Sequence, residues 1–170
     1  HEHPTVLCVD DNQSIWYSTI TSSGMGTGLH RYDRTPDYFK HYLTEIKGRP
    51  TVVYSIFMDI NNNLLIGTQG SNYIACVRED GKISKFNELN QAEGLSARHA
   101  RRIIADSSGI WLGYMQNRLD YYDYKRKVVS NVFLRKESDN TEEPFGFRSL
   151  LRDSRGNLLV GTIGLFLYTP

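Results

Sequence analysis

The 170-residue chain carries 20 lysines and arginines against 19 aspartates and glutamates, a formal net charge of +1. That balance supplies no bulk attraction to nucleic acid or to an anionic membrane, and no apolar run reaches the roughly 18 residues of a membrane-crossing helix. Cys8 and Cys76 are too few for a disulfide framework or a zinc site; both read as small buried hydrophobes in strands, a bridge in an oxidising compartment being the alternative.

The opening "HEH" reads as a frayed terminus rather than a metal site. "TVLCV" (5–9) then predicts a strand, "DDNQS" (10–14) a turn, "IWYST" (15–19) a second strand, "GLHRYD" (28–33) a third and "YFKHYL" (38–43) a fourth. Between the second and third lies "GMGTG" (24–28). A dinucleotide loop would need a strand before it, a helix after it and a parallel unit around it, so a plain connecting loop is the better reading.

The same order then recurs. "YSIFM", "DINNN", "LLIGT", "YIACVRE" and "KISKFN" occupy 54–87. "DINNN" begins like a calcium loop, but Leu64 stands at the sixth position, where glycine is required, and Gly70 at the twelfth, where glutamate is required. "RRIIA", "DSSG", "IWLGY", "RLDYYD" and "KVVSNVFL" occupy 101–134, and "RSLLR", "DSRGN", "LLVGT" and "GLFLY" occupy 148–168, with no fourth strand. Asp, Asn and Gly suit the turns because they bond their own backbone or accept positive φ.

The anchoring aspartates Asp10, Asp59, Asp106 and Asp153 are spaced by 49, 47 and 47 residues. Regular periods in this range signal repeat architectures, and short strands rich in aromatic and β-branched residues select four-stranded antiparallel blades. The fold class is therefore all-β, a β-propeller of four blades (about 4–46, 51–90, 98–135 and an incomplete 145–170), expected to be part of a larger propeller. Helix content should be near nil. A blade lacking its outer strand leaves an open edge, and uncovered end blades lead to an expected homodimer closing an approximate eight-blade ring. An open monomeric arc and a compact four-blade ring are the rival outcomes.

No catalytic constellation is present in the sequence, and no catalytic, metal or cofactor residue is assigned. An aspartate repeated in every blade argues for a turn role, because a catalytic residue is needed once. Columns of the repeat single out other positions. Three residues before each anchor stand Leu7, Ile56, Ile103 and Leu150, a monotonous apolar column expected in the core. Five residues before stand Thr5, Tyr54, Arg101 and Arg148, polar and varied. A varied polar column at the start of an innermost strand suits a ligand-facing ring, and aromatic and guanidinium groups suit a sugar, an acidic one above all. "RHARR" (98–102) is a solvated connector or a ligand contact at the propeller mouth. The expected ligand-binding residues are Tyr54, Arg98, His99, Arg101 and Arg148.

These residues resemble the two-component regulator propeller repeat, whose loose pattern is a strand, Asp, a Gly/Asn turn, "lWiGT", a short loop and "GL-x-x-Y". Blade 4 matches through Asp153, Gly156, Gly161, Thr162, Gly164, Leu165 and Tyr168, and blade 1 through Trp16, Thr19, Gly28, Leu29 and Tyr32. Blade 3 keeps Trp111, Gly113 and Leu119 but has Arg118 where Gly is usual, and blade 2 departs most after Thr68. The lead-in from Glu93 to Asp106 also resembles the family's inter-blade connector. The resemblance implies the periplasmic sensor region of a Bacteroides-type hybrid two-component histidine kinase, detecting an oligosaccharide to regulate polysaccharide utilisation. Its partners would be the oligosaccharide and the remaining blades and sensor domains of the parent protein, with neither nucleic acid nor direct membrane contact. A protein-interaction scaffold and part of a propeller carbohydrate enzyme are the alternatives.

Overall fold

The computed structural model describes residues 2–42, 45–46, 49–50, 52–68, 74–77, 83–86, 89, 91–97, 100–115, 118–133, 146–162 and 164–169. The first sheet is β1 (Glu2–Val9), β2 (Ile15–Thr21), β3 (His30–Asp33) and β4 (Tyr38–His41). After a two-stranded ribbon of β5 (Glu45–Ile46) and β6 (Arg49–Pro50), the second sheet is β7 (Val53–Met58), β8 (Leu64–Thr68), β9 (Ala75–Val77) and β10 (Ile83–Lys85). The third is β11 (Arg102–Ala105), β12 (Gly109–Gly113), β13 (Arg118–Asp123) and β14 (Val129–Phe133). The fourth has three strands, β15 (Ser149–Arg152), β16 (Leu158–Gly161) and β17 (Leu165–Tyr168). The pairing within each sheet is antiparallel in chain order. Among the described residues, the one helical position is Leu89. Three blades of four strands and one of three are thus as the repeat predicts; the β5–β6 ribbon was not foreseen.

The anchoring aspartates build the first turn of each blade. Asp10 Oδ1 accepts the amides of Asn12 and Ser14 at 3.0 and 2.9 Å, and its Oδ2 accepts the Trp16 indole N–H at 2.8 Å. Asp59 and Asp153 repeat the pattern, with the side chains of Asn63 and Asn157 donating to Oδ2 at 3.0 and 2.9 Å. In these three turns the residue three beyond the aspartate has positive φ: Gln13 at 61°, Asn62 at 61° and Gly156 at 88°. The Asp106 turn is one residue shorter and closes directly from the Asp106 amide to the Gly109 carbonyl at 3.0 Å. A hairpin that drops its left-handed residue needs no glycine or asparagine there.

Blades pack face to face, and the inner strands β1, β7, β11 and β15 stand side by side. Three apolar clusters fill the three junctions. Trp16 and Cys8 of blade 1 meet Ile56 and Ile66 of blade 2. Leu65 and Cys76 of blade 2 meet Ile103, Ile110 and Leu112 of blade 3. Trp111 and Leu119 of blade 3 meet Leu150, Leu158 and Val160 of blade 4. Strand alternation explains the assignment: one set of alternate residues faces the preceding blade and the other the following blade. Ile56, Ile103 and Leu150 accordingly lie 7, 2 and 9% exposed.

Leu7 does not follow. It is 64% exposed, because its column faces the preceding blade and the described chain places none in front of blade 1. The opening segment also departs from expectation. Glu2 and His3 belong to β1, opposite Thr21 and Ile20, and Thr19 Oγ1 donates to Glu2 Oε2 at 2.8 Å; the strand, rather than a frayed end, is the observed state. Cys76 is buried and Cys8 half-buried, on different blade junctions and both as free thiols. The 24–28 segment is a hydrogen-bonded turn in which Gly24 N donates to Thr21 O and Thr21 N to Met25 O, both at 2.8 Å.

Candidate ligand-binding site at the inner-strand starts

The inner strands of blades 1 and 2 carry a β-bulge near their starts, and those of blades 3 and 4 are preceded by a residue whose amide bonds the carbonyl of the glycine opposite the first strand residue. In β1, Pro4 pairs with Thr19 and Val6 with Ser18, leaving Thr5 out of the ladder. In β7, Val53 pairs with Thr68 and Ser55 with Gly67, leaving Tyr54 out. Arg102 opposes Gly113, and the Arg101 amide donates to the Gly113 carbonyl at 2.7 Å. Ser149 opposes Gly161, and the Arg148 amide donates to the Gly161 carbonyl at 2.8 Å. A bulge frees one residue from the alternation and re-aims its side chain. The varied column is therefore the bulge column in blades 1 and 2, and in blades 3 and 4 the equivalent residue just ahead of the ladder.

The glycines opposite these positions leave room for the incoming chain. A Cβ on Gly67 would lie 2.5 Å from the Ala100 carbonyl oxygen, and one on Gly113 would lie 2.9 Å from the Phe147 ring. Ala100 and Phe147 are themselves buried and immediately precede Arg101 and Arg148. The "GT" glycine of the repeat thus lets the connector to the next blade cross the second strand closely enough to deliver those residues.

The structure brings Tyr54 and Arg101 together: the Arg101 guanidinium lies over the Tyr54 ring, 4.9 Å from its centroid. It also contacts the Met115 sulfur at 2.7 Å, while its Nε is buried with no hydrogen-bond partner. Arg148 is exposed, and its backbone carbonyl accepts Arg102 Nε at 2.5 Å. Arg102 Nη1 donates to the carbonyls of Tyr54 and, at 2.9 Å, Arg101. One guanidinium therefore gathers the backbones of all three column residues from blades 2, 3 and 4. Thr5 is spent structurally, its hydroxyl bonding the carbonyls of Ser18 and Val53 at 3.2 and 3.1 Å. Arg98 and His99 lie outside the described residues.

Arg102 was not singled out by sequence. Its column, four residues before the anchor, reads Val6, Ser55, Arg102 and Ser149, and a lone guanidinium among small residues was the available signal. Its burial, reinforced by the neighbouring charge of Arg101, holds its pKa below the ordinary arginine value. The described clefts lie elsewhere. One of about 60 Å³ is lined by Asp10, Trp16, Arg31, Met58 and Leu64 among others, and a broader one of about 430 Å³ runs from Asn12 to Thr35, both near the aspartate turns. Arg31 there is already satisfied, with Asp33 at 2.7 Å and Ser14 at 2.9 Å. Unsatisfied guanidinium chemistry is what separates the inner-strand starts from those clefts, so we place the candidate site at the former.

No family model matches the sequence, and no curated protein matches it. Solved structures do. An extracellular domain assigned to a hybrid two-component system of B. thetaiotaomicron shares 22% identity, with 99% of this chain and 23% of that chain covered at a TM-score of 0.66. A second such domain from the same organism gives 18% identity, 98% and 22% coverage and a TM-score of 0.69. A gluconolactonase from Xanthomonas campestris gives 12% identity, 96% and 56% coverage and a TM-score of 0.64. The shared property is the β-propeller fold. This chain spans less than a quarter of the length of those two extracellular domains. Among the described residues no helix is long and apolar enough to cross a membrane.

Proposed function

We propose that this chain is a ligand-recognising propeller segment of the extracytoplasmic, periplasmic part of a hybrid two-component sensor histidine kinase, and that its ligand is an oligosaccharide. The observation that carries this is the stacked Tyr54–Arg101 pair, delivered at the starts of adjacent inner strands and held by Arg102. An aromatic ring beside oriented guanidinium donors suits a polyhydroxylated ligand, which needs both an apolar face and charge-assisted hydrogen bonds. Similarity to two extracellular domains of such systems supports the sensor reading. The segment itself is read as non-enzymatic, acting together with the remaining blades and sensor domains of its parent.

A glycan library screened by thermal shift tests the proposal. Saturable stabilisation by one glycan class, without product formation, is the expected result. The similarity to a gluconolactonase keeps an enzymatic reading in play; turnover of the stabilising glycan, followed chromatographically, would establish it. Stabilisation by a protein partner alone would make the propeller an interaction scaffold.

A further inference from the structure

The inner-strand starts hold positive charge that nothing in the described structure neutralises. Arg31 has Asp33, and Arg152 has Asp106. Arg101, Arg102 and Arg148 have no carboxylate within ion-pair distance among the described residues, and the sequence carries no acid between Glu93 and Asp106. Arg102 bonds only carbonyl oxygens, which are neutral acceptors. Arg101 rests on a ring and a thioether, with its Nε enclosed and unused. Arg148 keeps its side chain exposed, without a partner among the described residues.

Enclosing guanidinium groups without a counter-charge is costly, and the cost is offset when an anion arrives. Nor can the cluster be explained as structural glue throughout. Arg102 is consumed in fastening three backbones, which makes it a positioning residue. Arg101 and Arg148, which it positions, fasten nothing comparable. A planar donor held before a ligand arrives, as Arg101 is by the Tyr54 ring and the Met115 sulfur, suits a carboxylate or sulfate, which accept two parallel hydrogen bonds.

We infer that Arg101 and Arg148 form an oxyanion site, positioned by Arg102, through which the chain selects acidic glycans, bearing carboxylate or sulfate groups, over neutral ones. The inference rests on the oligosaccharide reading above and narrows it to a charge class. The Tyr54 ring covers the Arg101 guanidinium from one side, 4.9 Å from its centroid, so the oxyanion approaches from the side the ring leaves open.

Calorimetry on the full chain tests this with tetragalacturonate, a neutral tetrasaccharide of the same sugar (galactotetraose) and sodium sulfate. Tetragalacturonate should bind at least about tenfold more tightly than the neutral analogue, and its affinity should fall as salt rises from about 20 to about 200 mM. Arg101→Gln and Arg148→Gln should each weaken it by about tenfold, with Arg101→Lys recovering only part because the planar fork is lost. Arg148 is exposed, so its variant keeps the fold, and the melting temperature of each variant checks this. Equal affinity for charged and neutral sugars, unmoved by Arg148→Gln, would overturn the oxyanion site while leaving oligosaccharide sensing intact. Sulfate binding that Arg148→Gln abolishes, with no glycan bound, would keep the oxyanion site and overturn the glycan as its carrier. Absence of all three overturns the inference.

Discussion

At the scale of single residues, the anchoring aspartate shows how one side chain replaces a turn's missing hydrogen bonds. Asp10 is 9% exposed and satisfies two amides and an indole. Asp10→Ala should cost about 2 kcal/mol in urea unfolding, since buried donors are left without acceptors. Gln13, by contrast, sits at φ 61° where the equivalent residues are Asn62 and Gly156. Gln13→Asn should raise stability by about 0.5 kcal/mol, because Asn tolerates the left-handed region better than Gln. A third case is His30. It is 5% exposed, its Nδ1 lies 2.5 Å from His41 Nδ1, and its Nε2 lies 2.8 Å from Thr27 Oγ1. Burial first, and the His41 ring second, hold its pKa below the ordinary 6.5, against a smaller opposing pull from Glu2. The unfolded chain therefore takes up this proton before the folded one does. The stability is complete above about pH 6.5 and is lost as the pH falls below it. A melting temperature lower at about pH 5.5 than at about 7.5, with His30 titrating below 6.5 by NMR, is the expected outcome; a His30 that titrates at or above 6.5 would refute it.

The strands were legible because alternation and turn chemistry are local. "IWLGY" and "RLDYYD" announced β12 and β13 to within a residue, since each position's neighbours in sequence decide its face. The column of Thr5, Tyr54, Arg101 and Arg148 was legible as different, but the reason was not. A bulge, or a residue bonded just ahead of the ladder, is a property of two paired strands, visible only once Gly67 is found opposite Ser55 and Gly113 opposite Arg102. Arg102 stayed hidden for the same cause: its acceptors are carbonyls 48 and 46 residues away in sequence. The glycine opposite the bulge makes the element-scale prediction. A Cβ at Gly67 would meet backbone, the Ala100 carbonyl oxygen, at 2.5 Å, and a backbone atom cannot rotate aside. Gly67→Ala should therefore destabilise by about 2 kcal/mol, as overpacked sites do, and should shift the Arg101 guanidinium, one residue beyond Ala100. Unchanged urea stability would mean that the connector crosses less closely than described.

Over the whole molecule, burial is periodic except at the two end faces. The preceding-side face of blade 1 carries Leu7 at 64%, Val9 at 50% and Phe39 at 55% exposed, in register with Tyr17, His30 and Tyr32. The following-side face of blade 4 carries Leu151 at 61%, Leu165 at 74% and Leu167 at 63%, flanking Leu159. Their counterparts inside the arc are packed in junctions: Leu7 corresponds to the buried Ile56 and Ile103, and Leu151 to the partly buried Phe57 and Ile104. A face built to pack yet left in water drives association. One face is a preceding side and the other a following side, the two halves of every internal junction, so each fits the other rather than itself. Two copies joined blade 4 to blade 1 at both ends would bury all four faces around a two-fold axis and close a ring of eight blades. The isolated chain should therefore sediment as a dimer that dissociates on dilution. Leu165→Glu paired with Leu167→Lys should yield monomers without lowering blade stability, because both side chains are already exposed. A single monomer-mass species across the full concentration series would show that these faces do not pair with a second copy.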